Sequence, residues 1–216
     1  RGEPQKGEAM TITRDFRDAS RRDAYRVLSS LIIPRPIAWV CTLGEGGTVN
    51  LAPFSSFMGI FNPPALAITF GRKADGSLKD SHRNLRERSE AVVHIADGKL
   101  LAALHASAEE VPEGVSEAER LGLRTIPSSL VGPPRVADAP VALECRLREE
   151  LALGESSDLV LLDVLMAHVA DALWNVETDC ADGALWQPLS RLGSLGGPNY
   201  SLPGERFTLG PSKLPG

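Results

Sequence analysis

Pro34-Arg35-Pro36-Ile37-Ala38-Trp39-Val40-Cys41-Thr42, a glycine turn, then Asn50-Leu51-Ala52-Pro53-Phe54-Ser55-Ser56-Phe57 is the stretch that decides how this chain is read. Asn62-Pro63-Pro64, an apolar run over 65–70 and Lys79-Asp80-Ser81 follow it. Residues 37–42 read as a strand, and the chain from Val49 reads as its antiparallel partner across the glycines at 44–47. Those glycines lack G-x-G-x-x-G spacing and no helix follows, so they make a hairpin rather than a phosphate loop. Pro53 cannot donate to a ladder, which places the second strand at an edge or ends it there. The loop after it is hydroxyl-rich, and packing gives no reason for Asn50, Ser55 or Ser56. Lys79 and Ser81 stand at a helix entrance, where a cation, a hydroxyl and free backbone amides favour an anion. Such spacing suits a ligand with a planar apolar end and a phosphate end.

Outward from this stretch, residues 23–31 fit a short amphipathic helix with Ala24, Val27, Leu28 and Leu31 on one face, stopped by Pro34 and Pro36. Residues 65–70 and 91–95 read as strands and 79–88 as a helix; Ser77 and Asp80 match a capping box that would start this helix a turn earlier. Residues 99–107 look helical, and 109–123 are acidic and loop-like, with a helix near Ser116. The proline- and glycine-rich connection 127–140 leads to two long strands, 141–151 and 159–173, joined through 154–158. In the first of these Ala142, Glu144, Arg146 and Arg148 alternate with Val141, Leu143, Cys145 and Leu147, the pattern of a half-exposed strand. Residues 174–216 are irregular, and Gly196-Gly197 lie among them as a turn. Many antiparallel strands with few helices make a mainly β protein, a β-barrel rather than a doubly wound sheet.

With 216 residues, 43 % of them hydrophobic, the chain suits one domain over 21–216 behind a flexible, polar tail over 1–20, in which Met10 is a candidate start. A net charge of -5 and few aromatics argue against nucleic acid. No apolar run approaches a membrane span, and Cys41, Cys145 and Cys180 lack the spacing of a disulfide framework or zinc site, which points to the cytoplasm. Cys41 and Trp39 read as core, as does Phe57; His82, His94, His105 and His168 are too widely spaced for a helical metal site. Arg72, Lys73, Lys79, Arg83, Arg86 and Arg88 form a basic cluster, read as a solvated helix face or an attractor of phosphate.

Tyr25 with Pro34-Arg35-Pro36-Ile37-Ala38, Asn50-x-Ala52-Pro53-Phe54-Ser55, Asn62-Pro63-Pro64, Lys79-Asp80-Ser81-x-x-Asn84, and the tail Pro188-Leu189-Ser190-Arg191-Leu192-Gly193 with Tyr200 together resemble the flavin reductase-like family of FMN-binding split β-barrels. The resemblance implies a homodimer that binds FMN in preference to FAD near the subunit interface. Asn50, Ala52, Pro53, Phe54, Ser55, Ser56 and Phe57 would line the flavin ring. Lys79 and Ser81 would meet the phosphate, and Arg35 would reach the same phosphate or brace the loop. Arg191 and Tyr200 would close over the cofactor or meet the second substrate. NAD(P)H is the implied donor, with a free flavin, a small acceptor or a partner oxygenase receiving the electrons. Many short members carry Gly-Asp-His before the last long strand, where this chain has Ser156-Ser157-Asp158. That departure keeps open an FMN-binding electron carrier or reservoir without NAD(P)H activity. An oxidase of a phosphorylated small molecule would need a further anion site.

Overall fold

In the computed structural model of the chain, residues 11–193 and 198–207 are described. Helix α1 spans Arg21–Leu31, and β1 (Arg35–Pro36), β2 (Ala38–Leu43), β3 (Val49–Phe54), β4 (Phe57–Phe61) and β5 (Pro64–Gly71) follow. Next come α2 (Asp80–Arg88), β6 (Glu90–Ile95), α3 (Leu101–Ala106) and α4 (Glu117–Arg120). The short pair β7 (Thr125–Ile126) and β8 (Arg135–Val136) precedes the long strands β9 (Val141–Ala152) and β10 (Ser157–Val169). Four two-residue strands finish the order: β11 (Trp174–Asn175), β12 (Cys180–Ala181), β13 (Ser190–Arg191) and β14 (Tyr200–Ser201).

Seven strands form one antiparallel sheet in the order β3-β2-β6-β9-β10-β5-β4. The chain leaves one edge at Phe54 and enters the other edge at Phe57, with only Ser55 and Ser56 between them. Three peptide links reach at most about 11 Å, whereas seven flat strands are about 29 Å across. The sheet must therefore roll until its edges meet at this end. The Thr69 N–H, which donates to the Ser56 carbonyl at 2.9 Å, ties the junction down. Pro53 sits on an edge strand, where its missing N–H costs no ladder bond.

Strand β2 is buried on both faces, so its residues feed two cores. Trp39 and Cys41 pack with Leu51, Leu100, Leu104 and Val136. Ala38 and Val40 pack with Ile68, Phe70, Leu85, Val160 and Leu162, and the partly buried Phe57 lies against them. Burial forces the Trp39 indole N–H to find a partner, and it donates to the Ser107 hydroxyl at 2.8 Å. Burial also pushes the Cys41 thiol far up and the Cys145 thiol up to about 12, so neither forms a thiolate readily.

Four expectations need correction. Helix α2 begins at Asp80 with Lys79 as its N-cap; Ser77 donates instead to Asp75, so no capping box forms. Residues 57–61 form a strand that the sequence pattern leaves hidden, because Gly59 and the following Asn62-Pro63 mask its apolar run. Glu144 is fully buried rather than on an exposed face. The connection 127–140 folds over β9, and the Ser129 and Leu130 amides donate to the Glu144 carboxylate at 2.7 and 2.6 Å. His168 adds a contact at 2.7 Å. Burial alone would raise this carboxyl, but the two amides and His168 outweigh it and hold it below the usual range. The C-terminal segment is also less irregular than its sequence suggests: β13 pairs with β1 and β14. Gly196-Gly197 and Met10 lie outside the described residues. Among those described, no helix is long and apolar enough to cross a membrane.

His94, buried between the sheet and β8, makes the fold pH-sensitive. Its Nδ1 lies 3.1 Å from the Trp39 carbonyl, and its Nε2 accepts the Val136 N–H at 2.9 Å. Only the neutral ring, protonated on Nδ1, satisfies both, and burial pushes its pKa down to about 4. The unfolded chain binds this proton near pH 6.5, so it holds more protons than the folded chain as pH falls from there towards 4. Stability is therefore lost across that window, by about 3 kcal/mol at most. Urea midpoints at pH 7 and pH 4.5 test this: the wild-type drop should shrink in His94→Gln, and an equal drop in both proteins would refute it.

Candidate functional site

The rolled sheet leaves the outer side of β3 facing the start of α2 and the segment after α3. Asn50, Ala52, Pro53 and Phe54 line a hollow of about 140 Å³ there together with Lys73, Lys79 and Ser81. Residues that the sequence places at two ends of one ligand thus share one surface. Asn50 and Ser81 are buried, and the Asn50 amide donates to the Ser81 hydroxyl at 2.8 Å. Thr42 accepts from the Asn84 amide at 3.0 Å beneath them. This network fixes the first turn of α2 against β3 and leaves the Ser81 hydroxyl proton to donate elsewhere.

The basic cluster separates by its partners. Arg72 pairs with Asp158 at 2.6 Å, Lys73 with Asp80 at 3.0 Å, and Arg83 with Asp80 at 2.7 Å. Arg86 pairs with Glu150, and Arg88 donates to the Gly44 carbonyl at 3.0 Å. Lys79 has no ion pair among the described residues. It stands at the N-terminus of a nine-residue helix, whose first two amides, of Asp80 and Ser81, lack intrahelical acceptors. A phosphate is matched by such a donor set. Asp80 also lines the hollow, but Lys73 and Arg83 neutralise it; Glu109 and Glu110 contribute negative charge to the same lining.

A second hollow of about 160 Å³, bordered by Tyr25, Ser55, Arg191 and Tyr200, shares Pro53 and Ala108 with the first. A third, mainly apolar hollow of about 370 Å³, with Leu28, Ile32, Arg35, Ser56 and Phe57, shares Tyr25 and Ser55 with the second. Ser56 is exposed and Ser55 half-buried. Arg35 does not line the hollow of Lys79; its Nη1 donates to the Ser29 carbonyl at 2.9 Å, bracing the end of α1. Gly193 allows the C-terminal segment to approach α1 this closely, since a Cβ there would stand 3.0 Å from Ser30 Cα.

Two side chains missing from the sequence-based site matter here. His105 Nδ1 lies 3.1 Å from the Tyr200 hydroxyl, which Arg191 Nη1 also meets at 3.1 Å. Buried Glu117 accepts the Leu51 N–H at 2.9 Å under the first hollow, and burial pushes its carboxyl up. The pairs are 95 and 66 residues apart, and no local pattern signals either.

Elsewhere His82 is buried with Nε2 3.2 Å from Glu150 and Nδ1 3.7 Å from Asp158. The cluster has the residue types of a metal site. Each carboxylate, however, is already held by a guanidinium, from Arg86 and Arg72, and the two oxygens face opposite ring nitrogens. This is a charge network between α2 and the long hairpin. Asp158, at the place of the expected histidine, is thereby committed to Arg72.

The chain is 36 % identical over 196 residues to a protein of uncharacterised activity from Halalkalibacterium halodurans, covering 88 % of this chain and 91 % of that one. Its structure is similar to nitrilotriacetate monooxygenase component B from Bacillus cereus (TM-score 0.87, 34 % identity), covering 94 % of this chain and 100 % of that one. It is also similar to 2-nitrobenzoate 2-nitroreductase from Pseudomonas fluorescens (TM-score 0.85, 28 % identity), covering 95 % and 99 %. The rolled antiparallel sheet is the split-barrel fold of its flavin reductase-like neighbours. Residues 29–177 match the family model described as flavin reductase like domain, and the chain belongs to that family.

Proposed function

We propose that the chain is an FMN-dependent oxidoreductase that accepts electrons from NAD(P)H and passes them to a free flavin, a small acceptor or a partner oxygenase. The observation that carries this reading is the strip of adjoining hollows from Lys79, which has no ion pair among the described residues, along Asn50 to Phe57, to Arg191 and Tyr200. It has the order of an elongated ligand with an anionic end and a planar body. Lys79, the Ser81 hydroxyl and the α2 amides would hold the phosphate; the 50–57 strip would orient the ring. When bound, FMN supplies the redox chemistry, taking a hydride from a nicotinamide and delivering electrons onward. The protein's part is to orient both ligands and exclude water from the space between them. The similarity to a monooxygenase component B favours a partner oxygenase as recipient, and that to a nitroreductase favours a small acceptor.

The ion pair of Asp158 with Arg72 favours a second reading, an FMN-binding carrier or reservoir without NAD(P)H activity. An anaerobic absorbance spectrum separates the two. Bleaching of the flavin by NADH or NADPH supports the reductase; bleaching by dithionite alone supports the carrier. A protein that neither carries nor takes up FMN would refute both. In the double variant Lys79→Ala, Ser81→Ala, FMN affinity should fall about tenfold or more with the folded spectrum unchanged. Undiminished affinity would move the phosphate elsewhere.

Homodimerisation belongs to the same reading. Tyr25, Leu28 and Ile32 line the third hollow, and these three, with Leu31 and Ile33 of α1 and its exit and Met58 and Phe61 of β4, are exposed apolar side chains; Phe61 is 93 % exposed. A second copy covering this surface would place its own residues beside the flavin strip. Sedimentation should show a dimer for the wild type and a monomer for Ile32→Asp, Phe61→Asp. A wild type that is monomeric at micromolar concentration would refute the interface.

A further inference from the structure

We infer that Arg35 and Arg191 form a binding site for the anionic group, carboxylate or phosphate, of a second ligand with an apolar body; this rests on the flavin-binding reading above. The two residues are direct cross-strand partners in the β1–β13 pair. Like charges placed opposite one another repel and destabilise a sheet. Elsewhere the chain avoids this: Arg72, Arg83, Arg86, Arg146 and Arg148 each pair with a carboxylate. Neither Arg35 nor Arg191 has an ion pair among the described residues. Arg35 uses Nη1 on the Ser29 carbonyl, and its Nε and Nη2 are buried without a partner. Arg191 uses Nη1 on the Tyr200 hydroxyl, its guanidinium carbon lies 5.0 Å from the Tyr200 ring centroid, and its Nε is buried without a partner. Buried charged donors without acceptors are costly, and an anion offering several oxygens to two guanidinium forks removes that cost.

The surroundings define the rest of the ligand. Arg191 borders the second hollow and Arg35 the third, and Tyr25 and Ser55 line both. Tyr200 accepts from Arg191 and its hydroxyl also meets His105 Nδ1, and the two contacts fix the hydroxyl. Ile37, Leu104 and Pro53 on one side and Leu28, Ile32 and Phe57 on the other are apolar. An anionic head with an apolar or aromatic body fits this composition. Lys79 lines neither hollow, so this site is separate from the one proposed for the flavin phosphate. The head group has two sources, the carboxylate of a small aromatic acceptor and the phosphates of a pyridine nucleotide.

Isothermal titration of the FMN-loaded protein with benzoate, and separately with NADP+, tests the site. At least one probe should bind the wild type, and Arg35→Gln and Arg191→Gln should each weaken it by about tenfold or more. Arg191→Lys, which keeps the charge without the fork, should retain part of the affinity and provides a readout if the glutamine variant fails to fold. Arginine-dependent binding of benzoate assigns the site to a carboxylate, and that of NADP+ assigns it to a phosphate. No binding of either probe, or variants within about twofold of wild type, overturns the proposal. Flavin content is read from the visible spectrum of the same samples. If no FMN is taken up, the flavin reading fails, and titration of the FMN-free chain still decides the arginine site.

Discussion

A covalent link of two residues, Ser55 and Ser56, between the opposite edges of a seven-stranded sheet is the constraint on which the rest of this structure depends. Twist alone curls a sheet without deciding where its edges meet. The short link decides it, and the rolled sheet then has one inner core that α2 helps to close through Leu85. The helix is in turn pinned by Asn50 and Ser81, so the start of α2 and the outer side of β3 are held in register. Both sides of the proposed flavin strip therefore follow from the closure of the barrel.

Charge is distributed with the same economy. Most cations around α2 are neutralised by carboxylates that come from distant elements, as with Arg86 and Glu150 or Arg72 and Asp158. Lys79, Arg35 and Arg191, which have no ion pair among the described residues, all border the strip. In an acidic chain, positive charge left unmatched along one surface creates a local field that net charge does not reveal.

Much of the fold was legible because its signals are local. The apolar run of β5, the hairpin glycines between β2 and β3, and the alternation of β9 each report a backbone preference within a few residues. Strand β4 was not legible, since Gly59 and the Asn62-Pro63 turn read as a loop until the edge-to-edge link demands a strand. The burial of Glu144 was invisible too: its acceptor role belongs to amides fourteen and fifteen residues earlier, brought back by the connection that folds over it. At the site, residues 50–57, Lys79, Ser81, Arg191 and Tyr200 were named from a resemblance whose order along the chain is specific. His105 and Glu117 carry no such signal, because their relevance arises only when α3 and α4 dock beside β3. The unmatched state of Arg35 and Arg191 is likewise a tertiary fact: a sequence shows that an arginine is present, but not which acceptors lie within its reach.

The open seam beside Ser55 has a consequence for solubility. An edge strand offers its main-chain groups to any extended segment that approaches, which is the usual start of intermolecular sheet growth. Here the outer edge of β3 carries Pro53, which removes one donor from the row, and α2 and α4 pack beside the strand. A small molecule seated along this edge would act as a further guard, occupying the position that another polypeptide would otherwise take. The groove proposed to bind is then also the groove that must not polymerise, and ligand occupancy and colloidal behaviour become two readings of one piece of backbone.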